Sequence, residues 1–193
     1  GKPRRRFATA LTAFGIAEEA GRALSPRAGE EDGPQLLAAR ATALAALGRF
    51  GEAEAAAGRA LTLRPVFPEA EERLKLARLA RKHLRGAAAD WTVADRLMPV
   101  LLKLQARGPA AEMARALLAD PPAAAAATAP HAARLAAQAL PLLPAPAFGP
   151  LVEALAERFG DQPFVQALHL RWLVRMGRAG RAAELASGHA SGV

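Results

Sequence analysis

The run Leu44-Ala45-Ala46-Leu47-Gly48-Arg49-Phe50-Gly51-Glu52-Ala53, closed by Ala60-Leu61-Thr62-Leu63-Arg64-Pro65, is the stretch that most narrows what this chain can become. On either side of Gly48 the apolar residues recur at helical spacing, so each side carries one stripe that wants burial. Glycine at the junction supplies the backbone freedom of a tight turn, and Pro65 stops the second segment. The stretch reads as two antiparallel helices. A lone helix pair cannot shelter its apolar face, so neighbouring pairs must cover it, and the predicted architecture is a stack of hairpins.

Composition agrees with that reading. Ala, Leu, Arg and Glu carry low helix costs, and no run of Val, Ile or Thr alternates with polar residues, so the fold class is all-α. At 193 residues the chain is long enough for one domain, or for about four to five stacked helix pairs. Cysteine is absent, which excludes a disulfide framework, thiol catalysis and cysteine zinc sites. The histidines, His83, His131, His169 and His189, are scattered, and none has the spacing of a metal site on one helix. The alanine and arginine usage points to a GC-rich, bacterial genome.

The hairpin pattern can be followed along the chain. Phe7 to Leu24 is expected to form one helix ended by Ser25-Pro26. After Glu30-Glu31-Asp32, Pro34 suits a first helical turn, and helices follow near 34–47 and 51–63. A longer helix is predicted from Pro68 to Leu84, with Leu76, Ala77, Leu79, Ala80 and Leu84 on one side and Lys75, Arg78, Arg81, Lys82 and Arg85 on the other. Trp91 to Ala106 is expected to be helical, capped by Asp90 or Thr92 and broken or kinked at Pro99. Helices are also expected over 110–118, 130–140 and 150–159, with the alanine tract 123–127 left open between helix and loop. A last hairpin begins at Pro163 and turns at Gly177. Trp91 and Trp172 sit among leucines and are expected in the core.

Residues 34–65 resemble one tetratricopeptide (TPR) repeat. Counting back from Pro65 over the family's period of about 34 residues sets the first position at Pro34. The family's pattern of small and large residues then falls on Leu37, Leu44, Leu47, Gly48, Phe50, Ala53, Ala60, Leu61, Leu63 and Pro65. Arg40, Ala41 and Ala57 depart from it, standing where a leucine, a glycine and an aromatic are usual. In the same frame Pro163 matches Pro34, Gly177 matches Gly48 and Ala182 matches Ala53. Their separation, 163 minus 34, is 129 residues, short of four periods of about 34, so the helices between them have changed length.

What the resemblance implies is a right-handed α-solenoid of antiparallel helix hairpins: a single domain over 1–193, its clearest repeat at 34–67, a second hairpin at 163–187 and degenerate pairs over 91–159. It also implies that the inward-facing positions meet a partner. Among them Gln35, Thr42, Glu69, Glu72, Leu76, Phe164 and Arg171 are the candidate partner-binding residues. Chaperone-binding members hold a peptide carboxylate with lysine and asparagine at such positions. This chain has alanine and threonine there, which argues against a chaperone tail as ligand.

No Gly-rich phosphate loop, nucleophile elbow or HExxH motif is present, and adjacent acids such as Glu18-Glu19 and Glu71-Glu72 diverge by about 100° on a helix. The expectation is therefore a non-enzyme without metal or cofactor, cytoplasmic, that binds a peptide or helix of a partner protein. The alternative is an accessory region of a larger bacterial enzyme, such as a glycosyltransferase, sulfotransferase or methyltransferase; a first residue other than Met suits that alternative. The net charge of +8 and the tail Lys2-Pro3-Arg4-Arg5-Arg6 raise a third option, anion binding with the 75–85 stripe. Without aromatic residues among the arginines, nucleic acid is disfavoured as partner. No apolar stretch reaches the length of a bilayer span, and the sequence leaves the oligomeric state open.

Overall fold

The computed structural model describes residues 17–24, 32–119 and 129–190. These fold into helices joined by short turns, with no strand among the described residues, so the all-α class holds. The tail 2–6, the first part of the helix expected from Phe7, the pair Glu30-Glu31 and the tract 123–127 lie outside the described residues.

The first hairpin follows a short helix α1 (Ala17–Ala23) and consists of α2 (Pro34–Ala46) and α3 (Phe50–Leu63). Pro34 opens α2 behind an extended Gly33, where a missing N–H is no loss. The turn between the helices is set by backbone bonds. Gly48 adopts φ +77°, its N–H donates to the Ala45 carbonyl at 2.9 Å, and the Arg49 N–H reaches back to the Leu44 carbonyl at 2.9 Å. This ladder satisfies carbonyls that a helix end leaves open, and it needs the left-handed residue that glycine supplies best. Leu37, Leu44, Phe50, Ala53 and Ala60 are buried as the periodicity predicts, whereas Leu63 is 59% exposed.

Helix α4 (Pro68–Ala87) runs past the predicted end at Leu84. Its buried stripe is made of Ala70, Ala77, Ala80 and Ala87, and the expectation that Leu79 would join it is corrected: Leu79 is 37% exposed. Alanine lets the helix lie close on its neighbours, so the stripe follows the small side chains and leaves leucines at its margins. Ala70 and the preceding Phe67 pack with Leu37, Ala38 and Ala60, which ties the start of α4 to the first hairpin. Burying a side chain such as Phe67 brings roughly 1.5–3 kcal/mol, an added methyl about 0.8.

Helix α5 (Trp91–Lys103) is capped by Asp90, whose Oδ1 accepts the Thr92 and Val93 N–H groups at 2.8 and 3.2 Å. It continues through Pro99, so of the break or kink expected there the break does not occur; the exposed proline costs one helical bond without ending the helix. The chain turns later, at Leu104-Gln105-Ala106, into α6 (Arg107–Ala119). Gln105 has φ +59°, the Gln105 N–H donates to the Leu102 carbonyl at 3.0 Å and the Ala106 N–H to the Leu101 carbonyl at 2.9 Å. This is the same ladder as at Gly48, closed by a residue with a side chain.

The remaining elements are α7 (Ala129–Ala139), a 3-10 turn (Ala145–Phe148), α8 (Gly149–Phe159), α9 (Pro163–Arg175) and α10 (Ala179–Ala190). Between α9 and α10 the ladder appears a third time. Gly177 has φ +74°, its N–H donates to the Val174 carbonyl at 3.0 Å, and the Arg178 N–H donates to the Leu173 carbonyl at 2.9 Å. The helix that precedes each of the three turns is 13 residues long.

The chain divides into two compact units, Gly1–Arg85 with Pro99–Ala110, and Gly86–Met98 with Ala111–Val193. In the first, α1 packs on α2 and α2 on α3. In the second, α9 packs on α7, α8 and α10. Trp91 and Trp172 are both buried, as expected from their leucine surroundings.

Candidate functional site

Two open grooves among the described residues offer surface to a ligand. The first, in the first unit, has a volume of about 380 Å³, with Leu61, Leu74 and Leu79 as its apolar lining and Glu71, Lys75 and Arg78 around them. The second, in the second unit, has about 520 Å³ and lies among α7, α9 and α10.

The second groove arises from how α9 distributes its residues. Val165, Leu168, Trp172 and Leu173 are buried. That leaves Leu170 and Val174 as one row four residues apart and Arg171 and Arg175 as the next, and both rows line the groove. Ala137, Leu140 and Pro141, at the end of α7, form the facing wall, and Ala182 of α10 completes it. Val174 is 60% exposed, an unusual position for a branched apolar side chain on a helix with a full core face.

The wall is held in place by Trp172. Its indole N–H donates to the Ala145 carbonyl at 2.8 Å, a buried bond that fastens α9 to the 3-10 turn. His169 lies against the same ring, with centroids 6.0 Å apart. Burial, with the Arg181 charge as a smaller contribution, holds the His169 imidazole below its usual range, and Glu153 acts in the opposite direction.

A second polar cluster in this unit is structural in geometry. Asp95 is the one buried charged residue among those described, at 8% exposure. Its Oδ2 accepts Arg134 Nε and Nη2 at 3.1 and 2.8 Å and lies 2.9 Å from His131 Nδ1. Arg134 Nη2 also lies 2.9 Å from His131 Nδ1, so the three side chains close into one cluster around the carboxylate. The Asp95 carboxylate raises the Arg134 guanidinium above its usual range through these hydrogen bonds and its charge. Among the described residues no group of three His, Asp or Glu side chains is placed to hold a metal ion.

The seven residues selected from the sequence fall on three helices. Gln35 is exposed on α2, and Thr42 is half-buried there with its hydroxyl donating to the Ala38 carbonyl at 3.2 Å, so its polarity is already used. Glu69, Glu72 and Leu76 follow one another along α4; Glu72 is paired with Lys103, whose ammonium holds the carboxyl below its usual range. Phe164 and Arg171 lie on α9, and of the seven Arg171 alone lines either groove. In the basic stripe of α4, Arg78 and Arg81 both pair with Glu54, at 2.8 and 3.3 Å, which neutralises part of that surface.

Leu140, Pro141, Leu170 and Arg175 line the second groove and were not selected from the sequence. One signal could have found the region: residues 129–141 and 163–182 contain no Asp or Glu, while Arg171, Arg175, Arg178 and Arg181 crowd the second segment. No family model matches the chain, and neither a curated protein nor a solved structure matches it. No helix among the described residues is long and apolar enough to cross a membrane.

Proposed function

We propose that this chain is a non-catalytic, TPR-like helical-repeat scaffold that binds a peptide or helix of a partner protein in the bacterial cytoplasm. Its hairpins stack as a right-handed solenoid in this proposal, and the first helix of each hairpin faces the partner. The observation that supports it is the recurrence of one local device. Helices of 13 residues end at Gly48, Gln105 and Gly177 in the same left-handed turn, with the same pair of backbone bonds. Repetition of a hairpin is the economical way to extend a surface, because each unit needs only its neighbours for burial. Binding surfaces without reactive groups are what such an array offers.

A selection of displayed peptides against the whole chain, followed by hydrogen exchange of the complexes, tests the proposal. Saturable binding with slowed exchange on α2, α5 or α9 is the expected result. Failure to select any peptide, or protection confined to the hairpin turns, would count against a scaffold role.

A further inference from the structure

The geometry points to one occupant for the groove among α7, α9 and α10: an acidic amphipathic helix of a partner protein, which presupposes the scaffold role proposed above. Charge complementarity is the first argument. Among the described residues, the charged side chains lining the groove are Arg171 and Arg175, and both are exposed. Among the described residues neither guanidinium has a carboxylate partner. Residues 129–141 and 163–182, which supply every lining side chain, contain no acid; the acid nearest in sequence to a lining residue is Glu184, farther along α10, and it pairs with neither arginine. The field at this surface is therefore positive and available, and it favours approach of carboxylates.

The apolar lining sets the rest of the chemistry. Leu140, Leu170, Val174 and Ala182 offer a surface into which leucine-like anchors can insert, and they present no polar group to orient a small molecule. Every wall is helix or helix end, with no sheet edge to which an extended peptide could add a strand. An extended ligand would lie with its own N–H and C=O groups unpaired over a greasy surface, whereas a helix satisfies them internally. Leu170 and Val174 form one ridge at four-residue spacing, Arg171 and Arg175 the neighbouring one. A docking helix with apolar residues at i, i+3, i+4 and i+7 and Asp or Glu on its flank matches both rows at once.

The experiment uses the whole chain and two synthetic helical peptides that share one leucine face, with glutamate on the flanks of one and lysine on the flanks of the other. Fluorescence anisotropy at low salt is expected to show the glutamate peptide bound at least about tenfold more tightly, a gap that narrows as salt is added. Arg171→Glu with Arg175→Glu should reverse the preference, and Val174→Asp should abolish binding of both peptides. Circular dichroism of each variant controls for folding; Arg171→Gln with Arg175→Gln is the milder pair if charge reversal perturbs the helices. Equal binding of the two peptides, or a preference untouched by the arginine variants, overturns the assignment. So does arginine-dependent binding to phosphatidylserine vesicles without binding of the glutamate peptide. If displayed peptides still bind the Arg171/Arg175 variant with unchanged affinity, the groove assignment fails while the scaffold role stands.

Discussion

The indole N–H of Trp172 and the carbonyl of Ala145 meet at 2.8 Å in a buried setting, 27 residues apart in sequence. This bond fixes the rotation of α9, and with it the direction in which Leu170, Val174 and the two arginines point. Trp172→Phe keeps most of the apolar volume but strands the carbonyl. A loss of about 1–3 kcal/mol is expected, read from urea denaturation followed by circular dichroism. Peptide affinity should fall as well, because the groove wall loses its anchor.

The three hairpin turns give an ordered series. Gln105 holds a left-handed backbone that costs an ordinary residue roughly 1–2 kcal/mol, so Gln105→Gly is expected to gain about 0.5–1 kcal/mol after glycine's entropy is counted. Gly177→Ala introduces the same strain into open space, since nothing lies within 4 Å of the added carbon. Gly48→Ala should be worse than Gly177→Ala, because its new carbon would sit 2.7 Å from Cγ of the stiff Pro109 ring. Urea midpoints should fall in the order Gln105→Gly, parent, Gly177→Ala, Gly48→Ala. Equal midpoints for the two glycine variants would contradict the close approach.

Asp95 and Arg134 form a pair in which one end is buried and the other half in water. Arg134→Ala leaves the carboxylate with His131 alone and is expected to lower the urea midpoint. Asp95→Leu combined with Arg134→Ala removes the buried charge together with its partner, and should recover most of that loss. A double-mutant cycle measured by denaturation checks both. Additive single losses would show that the pair contributes no coupling.

His169 predicts a shallow pH dependence. Its folded pKa lies below the ordinary value of about 6.5, chiefly through burial, so the unfolded chain binds more protons in acid. The associated stability is complete above about pH 6.5 and is lost as pH falls through the folded value. His169→Gln should flatten that part of the stability profile, by a small amount because the ring is only half-buried. An acid limb identical to the parent's would refute the assignment.

Much of the fold could be read from the chain because helix punctuation here is explicit. Pro34, Gly48, Pro163 and Gly177 mark helix starts and turns by backbone chemistry, and the structure places them as the spacing predicts. The middle pair of helices was legible in outline, over 91–106 and 110–118, but its turn was not. Pro99 mimics a stop that is not there, and Gln105 makes a glycine-type turn without glycine, so the turn falls a few residues earlier than the pattern suggests. The site was less legible. Arg171 could be selected by position, but the groove depends on how α7 and α10 flank α9, and that depends on the Trp172 anchor and on lengths of chain that periodicity does not encode. Likewise Leu79 could not be told from a core leucine, because the α4 stripe follows the alanines instead.

That stripe determines how the molecule tolerates change. Where methyls meet across a helix pair, there is slack in neither direction. Trimming to glycine gives up the methyl and loosens the helix backbone by about 1 kcal/mol, and one extra branch at Ala70, Ala77 or Ala80, each at 0% exposure, finds no room unless a neighbouring helix moves.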